Sequence, residues 1–165
     1  HPQLTTNESY TLSVSASGAV ALVAPSVWGA LRGLETFSQM VIFDFDTQVH
    51  TLPLAPWAIS DAPRFPHRGL MIDTSRHFET VNTIKRMITS LSFAKLNVLH
   101  WHMSDDQSFP FESKTHTKLW QAAYSPQERY SQLDIRGVVE FARLRGVRVM
   151  VEFDVSAPRC LATAE

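Results

Sequence analysis

Three short apolar runs, Gly69–Asp73, 97–102 and 147–153, are separated by stretches in which apolar residues recur at helical spacing, and this alternation limits the folds open to the chain. Between the first two runs the helical positions are Val81, Ile84, Met87, Ile88 and Leu91. Between the second and third they are Ile135, Val138, Val139 and Ala142, with Ser131 placed to cap the helix, Asp134 favourable to its dipole and Gly146 placed to end it. Near-continuous apolar strands are buried on both faces, so the pattern predicts an α/β fold: a parallel sheet covered by helices, in the order β-α-β-α-β. An eight-fold barrel and an open doubly wound sheet both begin this way, and three strands do not distinguish them. No Gly-rich phosphate loop follows any of the runs, which disfavours nucleotide binding.

Upstream the pattern differs. Tyr10 to Val14 alternates polar and apolar, Ser15 to Gly18 turns, and Ala19 to Val23 resumes, which predicts a β-hairpin. Pro25-Ser26 then starts a helix whose expected apolar face is Val27, Leu31, Leu34, Phe37 and Val41. Residues 41–54 read as strand, and Pro53, Pro56, Pro63 and Pro66 punctuate a stretch expected to hold neither regular helix nor central strand. The expected boundary falls near Ala62, giving a small α+β unit over 1–62, α/β repeats over 63–154 and a tail over 155–165.

A formal charge of -1 supplies no basic field to hold a phosphate backbone, so nucleic acid is not an expected partner. No apolar run reaches the roughly 20 residues of a membrane-spanning helix, and no leader pattern opens the sequence. The single cysteine, Cys160, has no internal disulfide partner. Asn7-Glu8-Ser9 is an N-glycosylation sequon, which fits a secreted or lysosomal route.

In parallel α/β folds the C-terminal strand ends converge on one face. The first strand delivers Asp73, Ser75, Arg76 and His77 there; the second delivers His100, His102, Asp105 and Asp106; the third delivers Glu152 and Asp154. An arginine held among acids suits a sugar, because its planar fork donates to adjacent hydroxyls while carboxylates orient it. Each residue also has a plainer reading. Arg76 could be a surface arginine, Asp105-Asp106 a turn cap, and Asp73 and Asp154 structural partners. Trp101, Trp120 and Phe109 read as core before they read as sugar platforms. His100 and His102 share a strand face and, with Asp105 or Asp106, could bind a metal, although packing of the sheet is the preferred reading.

Several longer segments occur in a telling order: Pro-His-Arg-Gly-Leu at 66–70, Asp-Thr-Ser-Arg-His at 73–77, Lys-Leu-Asn-Val-Leu-His-Trp-His at 95–102, Asp-Asp-Gln-Ser-Phe-Pro at 105–110 and Ala-Arg-Leu-Arg-Gly-Val-Arg-Val at 142–149. Together with Trp-Gly-Ala-Leu-Arg-Gly-Leu-Glu-Thr-Phe-Ser-Gln at 28–39, they resemble the signatures of family 20 glycoside hydrolases, the animal lysosomal or secreted β-N-acetylhexosaminidases. The resemblance implies an incomplete (β/α)8 barrel, its first three strands, preceded by the end of a small α+β domain. It implies Arg76 and Asp105 as substrate-binding residues, with Asp73, His102, Asp106 and Asp154 supporting the pocket, and N-acetylhexosaminide-terminated glycans as partners. No cofactor or metal is expected, and full-length relatives are expected to be dimeric.

The reaction implied is substrate-assisted retaining hydrolysis, in which the sugar's own 2-acetamido oxygen attacks the anomeric carbon. It requires an adjacent Asp-Glu pair as acetamide orienter and general acid. The 165 residues contain no such pair, so this chain is expected to be inactive by itself. Where the family pattern continues after Asp154 with proline, glycine and histidine, the sequence reads Val155-Ser156-Ala157-Pro158, and 155–165 is expected to be a divergent tail. A non-catalytic sugar-binding or regulatory fragment, and a metal-dependent hydrolase using His100 and His102, are the alternatives.

Overall fold

The computed structural model describes residues 2–154, which fall into two compact units divided between Pro66 and His67. The expected tail, 155–165, lies outside the described residues.

In the first unit an antiparallel sheet has β1 (Tyr10–Val14) at its centre, flanked by β2 (Val20–Val23) and β5 (Trp57–Asp61). Period-2 alternation puts Tyr10, Leu12 and Val14 on the buried face. Against this sheet lies α1 (Val27–Met40), capped by Ser26, whose hydroxyl accepts from the Gly29 amide at 3.1 Å. The expected apolar stripe is not the buried one: Val27 and Leu34 are 63% and 53% exposed, and the buried positions are Gly29, Arg32 and Gly33. The cause is close approach. A Cβ on Gly29 would lie 2.3 Å from the Ser9 carbonyl oxygen, and one on Gly33 2.3 Å from Leu22 Cδ1. Arg32 can follow the glycines inward because its Nε donates to Glu8 Oε1 at 2.8 Å, neutralising both buried charges.

One further expectation changes here, and another holds with an addition. Residues 41–54 are not one strand but a hairpin of β3 (Ile42–Asp44) and β4 (Val49–Thr51). Asp44 Oδ1 accepts from the amide of Asp46 at 2.9 Å and so folds the chain back. The proline-rich stretch, expected to hold no central strand, holds an edge strand: the five residues of β5 fit between Pro56 and Pro63 and pair along β1 from Tyr10↔Asp61 to Val14↔Trp57.

The second unit is a three-stranded parallel sheet in the order β6 (Gly69–Asp73), β7 (Val98–Ser104), β8 (Arg148–Phe153). The crossovers carry α2 (Val81–Phe93) and α3 (Gln132–Arg143). Thr80 caps α2; Ser131 and Asp134 form a reciprocal capping box on α3. Gly146, at φ 68°, takes the left-handed turn that leads from α3 into β8.

The helices cover one sheet face, where Ile72, Leu99, Trp101 and Met103 pack with Ile84, Ile88, Leu91, Val138 and Ala142. Burial on both faces, expected from the apolar runs, is not observed for β6 and β8: Met71 and Met150 are 53% and 38% exposed. Cross-strand register explains which residues share that second face. Met71 pairs with His100 and His100 with Met150; Asp73 pairs with His102 and His102 with Glu152. The face opposite the helices therefore passes from methionine and histidine to a charged row at the C-terminal strand ends.

Candidate functional site

Asp73 ends β6 and folds the next residues over itself. Its Oδ1 accepts from the amides of Ser75 at 3.0 Å and Arg76 at 3.1 Å, which turns the Arg76 side chain back so that Nη1 donates to Asp73 Oδ2 at 2.6 Å. The turn is tied to the neighbouring strand from behind. The Thr74 amide donates to the His102 carbonyl at 3.0 Å, the Ser75 hydroxyl to the Ser108 carbonyl at 2.9 Å, and buried Trp101 Nε1 to Thr74 Oγ1 at 2.8 Å.

Beyond β7, residues 105–108 form a tight turn closed by the Asp105 amide on the Ser108 carbonyl at 3.2 Å. This turn aims the buried Asp105 carboxylate at Arg76 Nη2, with which it forms an ion pair. Arg76 Nε donates to Gln107 Oε1 at 3.1 Å. The guanidinium of this side chain, which is 45% exposed as a whole, is thus fixed by Asp73, Asp105 and Gln107, and its five N–H donors exceed those three acceptors.

Behind this clamp lies His102. Its Nε2 is 3.1 Å from Asp105 Oδ2 and its Nδ1 is 3.1 Å from Glu152 Oε2, while the same Glu152 oxygen is 2.6 Å from His100 Nε2. Burial works against a charge on His102, but the bond to Glu152, the nearby Asp73 and the bond to Asp105 outweigh it and raise its pKa above the usual histidine value. For Asp73, burial favours the neutral acid, yet bonds from the Arg76 side chain and from the Arg76 and Ser75 amides hold its pKa below the usual carboxylate range. Bonds from His102 and His100 likewise lower Glu152.

The sequence-derived residues fall as follows. Arg76, Asp73, His102 and Asp105 meet in one cluster; Asp154 reaches it through its field on Arg76 and donates its amide to the Ser104 carbonyl at 3.0 Å. Asp106 is exposed and donates its amide to Asp105 Oδ1 at 2.7 Å, bracing the turn. His77 is exposed. Trp101 is fully buried in the core. Asn7 is exposed, its Oδ1 accepting from the Ser9 amide at 3.0 Å and the Ser9 hydroxyl at 2.7 Å.

Gln107 is the participant that sequence reasoning misses, with no signal beyond adjacency to the Asp105-Asp106 pair. Glu152 is placed at the converging strand ends by sequence, but its bridge between His100 and His102 is not foreseen there.

The metal reading loses its histidine pair. His100 lies against Glu152, and among the described residues the three groups whose ligand atoms come within 4.8 Å of one another are His102, Asp105 and Asp154. A guanidinium already occupies Asp105, which is where a cation would have to sit.

A β-α-β-α-β unit with a guanidinium clamped by carboxylates at its strand ends is an α/β domain whose polar groups gather at one end of the sheet. Comparison with known proteins gives the family. Residues 65–162 match the profile "Glycosyl hydrolase family 20, catalytic domain", a match that runs past Asp154, and residues 2–40 match "beta-acetyl hexosaminidase like". The chain belongs to glycosyl hydrolase family 20. It is 54% identical over 159 residues to Beta-hexosaminidase 1 of Arabidopsis thaliana, covering 93% of this chain and 29% of that protein. With the Beta-hexosaminidase subunit beta of Mus musculus it is 52% identical over 154 residues, covering 93% and 28%. The solved Flavobacterium johnsoniae chitobiase superposes with a TM-score of 0.87 at 40% identity, over 99% of this chain and 24% of that one. The Vibrio harveyi exo-β-N-acetylglucosaminidase in complex with N-acetylglucosamine gives 0.83 at 30% identity, over 99% and 28%. The chain thus spans less than a third of the length of these relatives.

Proposed function

We propose that the chain carries the sugar-gripping part of a β-N-acetylhexosaminidase catalytic domain, the first three strands of a (β/α)8 barrel, which acts on terminal N-acetylglucosamine or N-acetylgalactosamine of glycans and glycoconjugates. The observation that carries this is the Arg76 clamp: a half-exposed guanidinium held by Asp73, Asp105 and Gln107, with donors left over for vicinal hydroxyls. Asp105 orients Arg76 from beneath, and the helix-free sheet face supplies the floor. These residues bind and orient the sugar. The adjacent Asp-Glu pair that the family resemblance implies as acetamide orienter and proton donor does not occur in the 165 residues, so in this reading the chain supplies binding and not the chemical step.

Titration calorimetry with N-acetylglucosamine tests the reading: the chain should bind in the millimolar range and Arg76→Ala should abolish the heat. An equal signal from both would overturn it. An aryl N-acetylglucosaminide should release no chromophore beyond background with this chain alone. Binding without turnover is also what a regulatory sugar-binding fragment would give, and the two readings share the same clamp.

The exposed Asn7 sequon and the lysosomal or secreted setting go together in this proposal. Expression through a eukaryotic secretory route should yield a chain that shifts to lower mass on N-glycan removal, a shift abolished by Asn7→Gln.

A further inference from the structure

The two ring nitrogens of His102 both face carboxylates, Nδ1 toward Glu152 and Nε2 toward Asp105, each at 3.1 Å. An ionised carboxylate accepts hydrogen bonds and donates none, whereas a neutral imidazole has one N–H and one lone pair. Only the imidazolium satisfies both contacts. In neutral His102 one nitrogen lone pair must point at an anionic oxygen.

Resting on the sugar-clamp reading above, we propose that Glu152, acting through His102, is a positioning residue that holds the Arg76–Asp105 grip in its binding geometry only while His102 carries a proton on both ring nitrogens.

The charges around His102 favour that state. From β6 and its loop come Asp73 and Arg76; from the loop after β7, Asp105; from β8 and its end, Glu152 and Asp154, with His100 on the far side of Glu152. Four carboxylates surround one fixed cation, so a second positive charge is accommodated. Trp101 and Thr74, packed behind the strand ends, contribute no charge.

The consequence of losing the proton follows from a third contact. Arg76 Nη1 lies 3.4 Å from His102 Nε2 and 2.6 Å from Asp73 Oδ2. If neutral His102 keeps its proton toward Glu152, its Nε2 becomes an acceptor beside Nη1 while Asp105 loses a donor. Arg76 then gains an alternative partner just as the carboxylate that fixes its other nitrogen loses one of the bonds that orient it. Glu152 decides the matter because its charge keeps the proton on the ring, although it does not touch Arg76.

The test uses nitrogen-labelled chain and two resonances that need no sugar: the His102 ring nitrogens and Arg76 Nε. In the wild type His102 should show two protonated nitrogens at pH 6 and titrate above about 6.5, with Arg76 Nε shifting at the same midpoint. Glu152→Gln should lower both midpoints together, and His102→Gln should leave Arg76 Nε without that transition. N-acetylglucosamine affinity should fall through the same midpoint. A neutral His102 at pH 6, an Arg76 signal indifferent to the His102 titration, or a midpoint unmoved by Glu152→Gln would each overturn the proposal. If both resonances titrate together but no sugar binds at any pH, the coupling stands and the sugar-clamp reading falls instead.

Discussion

At the scale of single residues, the site rests on geometry that only certain side chains supply. Arg76→Lys keeps the charge but loses the fork: an ammonium cannot donate to Asp73, Asp105 and Gln107 in fixed directions and still offer a planar edge to a ligand. Sugar affinity in this variant should drop at least tenfold, measured by calorimetry, with little change in fold by circular dichroism. The pH dependence of stability has two arms. The folded-state pKa of His102 is raised, so its contribution is complete below about 6.5 and is lost as pH rises through the raised value. Asp73 and Glu152 are lowered, so theirs is present above about 4.3 and is lost as pH falls through the lowered values. Urea midpoints should therefore be highest in mildly acidic buffer, and His102→Gln should flatten the alkaline arm and weaken the Glu152 part of the acid arm while leaving the Asp73 part in place. Arg76, Asp73 and Asp105 were legible as a cluster from their positions after apolar runs. Gln107 and the bridging role of Glu152 were not, because each depends on where a turn or a strand register places one oxygen.

Elements were legible where local chemistry and packing agree. Ser131 with Asp134 three residues on predicts a helix start, and the capping box is there. Ser131→Ala should cost about 1 kcal/mol in chemical denaturation. Strand β7 was legible from its apolar run, and its alternation, core on one side and His100 and His102 on the other, fixes which face carries the chemistry. Helix α1 misled because apolar periodicity measures greasiness and not the distance of approach. Its buried stripe is two glycines and an arginine whose charge is cancelled by Glu8, a partner outside the helix. Glu8→Ala removes a carboxylate that neutralises that buried guanidinium and should cost about 3–5 kcal/mol, whereas Val27→Ala on the expected apolar face should cost under about 1 kcal/mol. Comparable losses from both would mean that the expected face is the packed one after all. Strand β5 was missed because its prolines flank it rather than interrupt it.

At the scale of the whole molecule, the described residues make two units with different logic: an antiparallel sheet under a closely seated helix, and a parallel sheet with helices on one face only. The second leaves Leu70, Met71 and Met150 exposed and gives β6 and β8 one neighbour each among the described residues. Uncovered apolar surface beside unpaired strand edges promotes association. Sedimentation of the 165-residue chain should show concentration-dependent self-association, reduced in a Met71→Lys variant. Family membership follows from sequence across nearly the whole chain, whereas the proposed sugar grip depends on three strand ends meeting. A crystal of the chain soaked with N-acetylglucosamine settles it. The sugar's hydroxyls should lie within hydrogen-bonding distance of Arg76 and Asp105 at the C-terminal end of the parallel sheet; density for the sugar elsewhere, with Arg76 untouched, would contradict the proposed grip.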